Sequence, residues 1–202
     1  MKVFPLARVN YTEGMEYSDP ARLIERCIEG DEQAIEIFVR RHETDIFRLA
    51  FSVLQDPSEA YEAAQDTFIT ALKALSRYQE RSSLKAWLCA IALNISRSRL
   101  RKRKVLERLH NTLTVVFQIE TRKQPTLEER VIQTEKEKAA WNALNELDEK
   151  HRVVMVLRYF QELSVREIAE ILSISEGTVH SRLHTARERL RSALKDIYGD
   201  KV

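Results

Sequence analysis

The sequence predicts an all-α protein made of two small helical domains joined by a flexible linker, the second domain containing a helix-turn-helix. Three observations lead there. Only four glycines and four prolines interrupt 202 residues, which leaves little punctuation for strands and tight turns. The apolar residues recur at the three-and-four spacing of a helix face. Helix-start signatures, an N-cap side chain with glutamate three residues on, stand at Asp56 to Glu59, Thr126 to Glu129 and Ser164 to Glu167.

The first twenty residues are polar and read as a poorly ordered arm, with Phe4 and Leu6 available for a short anchoring contact. From Leu23 the periodicity begins. Leu23, Ile24, Cys27 and Ile28 precede a Gly30-Asp31 break, and Ile35, Phe38, Val39, Ile46, Phe47, Ala50, Val53 and Leu54 follow it, giving two antiparallel helices. Asp56-Pro57-Ser58-Glu59 joins an N-cap acid, proline at the first helical position and a capping-box glutamate, so a third helix starts near residue 57. Its polar face carries Glu59, Glu62, Gln65 and Asp66, while Ala60, Ala63, Ala64, Phe68, Ile69 and Leu72 are placed to pack inward.

The tract from Tyr78 to Ser83 breaks the pattern, and Ser82 or Ser83 is expected to cap a fourth helix through Trp87, Leu88, Ile91, Ala92, Ile95 and Leu100. That helix ends in a basic burst, Arg97, Arg99, Arg101, Lys102, Arg103 and Lys104, with no acid between them. Such a run creates a positive potential suited to phosphates. Tyr78 and Trp87 beside it are candidates for stacking on unpaired bases, although burial is the commoner fate of a tryptophan. The first domain is therefore expected over residues 21–105 and a linker over 106–125, where periodicity lapses.

The second domain is expected over 126–202. Val131, Ile132, Ala139, Ala140, Leu144 and Leu147 continue from the Thr126 cap, and Asp148 starts a helix with Val153, Val154, Val156, Leu157 and Tyr159. Ser164 and Glu167 form a capping box with Leu163 and Ile168 as its hydrophobic staple. The helix reaches Leu172, turns at Ser173-Ile174-Ser175 and restarts from Ser175. Ala169 stands where the two helices cross, and Ile168, Leu172, Ile174, Val179 and Leu183 supply a shared core. An ordinary helical hairpin has no need for this agreement of small, apolar and capping positions. The second helix offers Glu176, Gly177, Thr178, His180, Ser181 and His184 to a groove, with Arg182, Arg187, Arg189 and Arg191 for phosphates.

Composition narrows the function further. The net charge of +2 hides an acidic third helix and basic fourth helix. Two distant cysteines, Cys27 and Cys89, each in an apolar pattern, fit free packed thiols in a reducing cytoplasm. No apolar run approaches the ~20 residues of a membrane span, so no membrane insertion is expected. No nucleophile and base set or phosphate loop is visible, which argues against an enzyme. No cofactor is expected. His180 and His184 sit four apart, but no third ligand joins them, and no metal site is expected.

These residues resemble the extracytoplasmic-function group of sigma factors in the sigma-70 family, from about Leu23 to Leu194. Asp56 to Phe68 is similar to the family's D-x-x-x-A-x-D/E-x-x-Q-E/D-x-F helix, which implies docking on core RNA polymerase through Glu59, Glu62, Gln65, Asp66 and Phe68. Tyr78 to Asn94 resembles the loop and W-L-x-x-I-A-x-N helix that open and read the minus-10 element. The resemblance implies melted-DNA contacts for Tyr78, Ser82, Ser83, Lys85, Trp87 and Asn94, with Arg97 and Arg101 nearby. Leu163 to Arg187 resembles the minus-35-reading helix-turn-helix, which implies duplex contacts for Ser175, Glu176, Gly177, Thr178, His180, Ser181, Arg182, His184 and Arg187. The family also implies an anti-sigma factor as a partner.

The chain departs from the family pattern at four places. Ser98 and Arg99 replace a common acid and aromatic, Ser173 a common turn glycine and His180 a common lysine. Ser173 is free to choose another turn geometry. The alternative reading is a stand-alone helix-turn-helix regulator, which requires a dimerisation surface and a palindromic site. An interaction protein that kept the fold without promoter activity is the third reading.

Overall fold

The computed structural model describes residues 19–79, 82–114 and 141–198, and these contain helices and turns but no strand. The arm up to residue 18 and the segment 115–140, with its Thr126 cap, lie outside the described residues.

Four helices make the first half. α1 (Pro20–Ile28) starts on Asp19, whose carboxylate accepts the Ala21 N–H at 3.0 Å, with Pro20 at the first position. Gly30 at φ +84° turns the chain, a left-handed conformation that favours a residue without a Cβ. Asp31 then caps α2 (Glu32–Leu54). α3 (Pro57–Ala74) is capped by Asp56, which accepts the Glu59 N–H at 2.8 Å. The reciprocal half of the expected capping box is absent, because the Glu59 carboxylate turns instead to Arg103, 3.0 Å away.

α4 (Leu84–Thr114) is capped by Ser83, whose Oγ accepts the Ala86 N–H at 3.2 Å. It runs nine residues past the expected domain boundary at 105, through what was read as linker. The reason is compositional: residues 101–114 are rich in Lys, Arg and Leu and contain no glycine or proline, and Arg103 lies 3.7 Å from Glu107 one turn on. Val105 and Leu106 are exposed at the start of this extension.

In the second half, residues 141–145 are helical and α5 (Glu149–Met155) starts on Asp148. α5 passes into a π-helical turn, Val156–Phe160. α6 (Val165–Leu172) begins with a complete capping box: the Ser164 N–H donates to Glu167 Oε2 at 2.9 Å and the Glu167 N–H to Ser164 Oγ at 3.2 Å. Leu163 and Ile168 are buried as the staple requires. Ser173 adopts φ +53°, so it keeps the left-handed turn instead of finding another geometry. α7 (Glu176–Tyr198) follows, and Ala169, Val179 and Leu183 are buried where the two helices cross.

The two halves pack into one continuous core. Trp141 meets Phe51 of α2 edge-on at 5.7 Å and lies 5.2 Å from Phe160. Burial of this apolar surface favours association of the halves.

Candidate functional site

Three surfaces carry the residues singled out above. On α3, Glu62 and Gln65 are exposed, and Glu59 and Asp66 are partly exposed, all on the face away from the Ala60, Ala63, Ala64 and Ala71 side. Phe68 is not on that face. It is buried, edge-to-face with Phe38 at 6.2 Å, because it falls one turn after Ala64 on the inward stripe. Ile69, expected inside, is exposed instead, since its position is rotated away from that stripe.

The acidic face is tied to α4. Arg99 donates from Nη1 to Glu62 at 2.7 Å and from Nη2 to Asp66 at 2.5 Å, and these bonds raise its pKa above the ordinary arginine value. Arg103 bonds Glu59 and also donates to the Leu54 carbonyl at 3.1 Å. Two of the six basic residues thus serve the carboxylates of α3. The pairing joins residues more than thirty positions apart, and no sequence spacing signals it; opposite charge on the two helices is the one available hint.

The second surface is the loop before α4 and the helix itself. The Tyr78 hydroxyl donates to the Ser82 carbonyl at 2.7 Å, and its ring lies 5.2 Å from that of the half-buried Trp87. This bond and ring contact shape the loop around its two aromatics. Lys85 is 2.9 Å from Asp45, whereas Asn94 and Arg101 face solvent. Two members reach across to the second half: Ser83 Oγ donates to Glu167 Oε1 at 2.6 Å, and Arg97 Nε donates to Glu149 at 3.1 Å. Glu149 and Glu167 carry no function in the sequence reading.

The third surface is the start of α7. Ser175 Oγ accepts the Thr178 N–H at 3.2 Å and so caps the helix. Glu176, Gly177, His180, Ser181, His184 and Arg187 are exposed, while Thr178 and Arg182 are partly covered. One face of an exposed helix therefore carries donors, acceptors and cations at a spacing that suits a major groove.

Among the described residues no group of three His, Cys, Asp or Glu side chains is arranged for a metal, and no helix is long and apolar enough to cross a membrane. Cys27 and Cys89 are both free and buried.

Residues 38–105 match the family model for Sigma-70 region 2, and residues 137–190 that for Sigma-70, region 4. The chain is similar to the ECF RNA polymerase sigma factor SigW of Bacillus subtilis, 33% identical over 180 residues, covering 86% of this chain and 96% of the relative. It is 30% identical over 176 residues to the ECF RNA polymerase sigma factor SigM of Mycobacterium tuberculosis H37Rv, covering 86% and 84%. Two solved structures share the fold. CnrH in complex with the cytosolic domain of CnrY is 26% identical, with TM-score 0.59 over 87% of this chain and 96% of that one. RpoE in complex with the anti-sigma factor NepR, from Bartonella quintana, is 27% identical, with TM-score 0.60 over 79% and 96%.

Proposed function

The chain belongs to the extracytoplasmic-function sigma factors of the sigma-70 family, and from that premise we infer how its surfaces divide the work of promoter-specific initiation. It binds core RNA polymerase and promoter DNA. The α3 face formed by Glu59, Glu62, Gln65 and Asp66 docks on the polymerase. The α7 face from Ser175 to Arg187 sets position on the minus-35 duplex, where helix-terminal amides and arginines suit phosphates and guanine edges. The Tyr78 to Ser83 loop, Lys85, Trp87, Asn94, Arg97 and Arg101 hold melted minus-10 DNA. A base extruded there costs a few kcal/mol of stacking and pairing, which a pocket with phosphate contacts offsets.

The single observation that carries this reading is the presence, in one chain, of an exposed Gln65-centred face on α3 and a capped helix-turn-helix with an open recognition face. A stand-alone regulator has no use for the first and needs a dimer surface besides. The chain performs no chemistry of its own; the polymerase supplies the catalytic site. It works in the cytoplasm under an anti-sigma factor, as the complex of the similar RpoE with NepR suggests.

Run-off transcription with core polymerase on a promoter library tests the proposal. Transcripts that depend on this chain and are lost in Gln65→Ala are expected. No transcripts and no polymerase binding from a folded chain would return the stand-alone regulator.

A further inference from the structure

The recognition helix α7 carries two imidazoles on one face. His180 and His184 stand four residues apart, both are exposed, and neither ring takes part in a hydrogen bond or ion pair among the described residues. Side chains at that spacing are neighbours, with Cβ atoms about 5–6 Å apart, and lean towards the helix N-terminus. Two imidazoles so placed can turn onto one ion at metal–nitrogen distances of about 2.0–2.1 Å, and the same spacing serves zinc in helices that carry H-E-x-x-H.

The surroundings leave room for an ion. Gly177, one turn before His180, has no side chain, and a Cβ placed there would come no closer than 3.9 Å to the Ser175 Oγ. Glu176 and Glu188 put a carboxylate at each end of the pair, one turn before His180 and one turn after His184, with Glu188 held by Arg191 at 2.6 Å. The nearest cation in sequence, Arg187, is drawn back to the Leu183 carbonyl through Nε at 3.2 Å. No third side chain among the described residues closes the site. That excludes a structural zinc centre, which takes four protein donors, but not an open site completed by water.

We propose that His180 and His184 form a two-ligand chelate for a borderline divalent transition cation, nickel(II) or copper(II) by class, and that the bound ion competes with duplex DNA for α7. Imidazole suits such ions, whereas magnesium and calcium require oxygen donors. The lysine common at position 180 in the family would leave a single imidazole, so the chelate arises from this chain's own departure. The competition rests on the reading of α7 as the duplex-binding face; the chelate does not. An ion that holds both rings together withdraws them from base edges. By linkage, ion and duplex then weaken each other by the same factor.

The experiment uses the full chain without a polyhistidine tag, alongside His180→Lys and His184→Ala. Both variants change exposed side chains, and circular dichroism checks that they remain helical. Nickel chloride is titrated into each by calorimetry in a non-coordinating buffer, with magnesium chloride as control. Anisotropy of a fluorescein-labelled mixed-sequence duplex is then measured with and without nickel, and the ratio of the two affinities is read within each chain.

One nickel per chain is expected, bound roughly tenfold or more weakly in either variant, because a second ligand linked on the same helix supplies the gain. Copper should displace it, following the order of divalent affinities, and magnesium should not bind there. Duplex affinity should fall several-fold with nickel in the unaltered chain alone. No nickel binding, or binding equally tight in both variants, would overturn the chelate. Duplex affinity unchanged or raised by nickel would overturn the competition. A chain that binds no duplex at all would overturn the competition together with the α7 reading, and the calorimetry, which uses no DNA, distinguishes that failure from failure of the chelate.

Discussion

Arg99 grips Asp66 across the groove between α4 and α3, Nη2 to Oδ2 at 2.5 Å, and with its other nitrogen holds Glu62. An arginine therefore stands, where the family commonly has an aromatic, over two carboxylates proposed to meet the polymerase. Exposed pairs of this kind contribute about 0.2–1 kcal/mol each. Arg99→Ala should release both acids to a cationic partner and tighten core polymerase binding roughly two- to tenfold, with a steeper salt dependence. Competition binding to core polymerase reads it. Weaker binding would mean that Arg99 itself positions or joins the contact.

Ser173 holds φ +53°, a region that costs a residue with a Cβ on the order of 1 kcal/mol. Ser173→Gly should stabilise the helix-turn-helix by about 0.5–1 kcal/mol, the gain being reduced by glycine's greater freedom when unfolded. Ser173→Ala should leave stability nearly unchanged. Thermal melts of the two variants decide: a midpoint raised by a few degrees in the glycine variant alone is the expected result.

The elements most legible in the sequence were those whose signals are local. Asp56-Pro57 marked the start of α3, and Ser164 with Glu167 marked α6 together with its complete capping box. Phe68 was read both as an inward-packing residue and as a docking residue, and the 3.6-residue period, which puts it in register with Ala64, decides for the core. The length of α4 was hidden by a charged stretch of good helix formers with no glycine or proline to mark its continuation. The docking of the halves had no sequence trace at all. Gln161 and Arg152 both bond main-chain carbonyls, and an acceptor common to every residue leaves no pattern to read.

Glu167 makes that docking weakly dependent on pH, with a definite sign. The Ser83 hydroxyl, chiefly, and the Ser164 N–H and hydroxyl hold its carboxyl below the ordinary glutamate value of 4.5, against the opposing effect of burial. A group lowered in the folded state adds stability above its unfolded value and loses it as pH falls through the lowered one. The stability gap between the unaltered chain and Glu167→Ala should therefore be flat from neutral pH down towards 4.5 and shrink in stronger acid. Chemical denaturation at a series of pH values measures it; a gap that shrinks between pH 8 and 6 would contradict the assignment.

Arg187 and His180 share the exposed α7 surface but are predicted to fail differently. Arg187 lies two turns beyond Thr178 and donates from Nε to the Leu183 carbonyl at 3.2 Å, so its remaining nitrogens are set to meet a phosphate rather than a base. Removing one phosphate contact reduces the slope of log affinity against log salt by about 0.9 and weakens every sequence alike. His180 is in the first turns of the helix, where side chains reach base edges, and there a lost contact costs about 1–3 kcal/mol at one base pair and nothing at others. Binding of Arg187→Ala and His180→Ala to a panel of minus-35 duplexes at several salt concentrations separates the two. A uniform loss with a shallower slope is expected for Arg187→Ala. A change confined to one position of the panel is expected for His180→Ala, and the opposite assignment would place α7 in the groove at a different rotation about its axis.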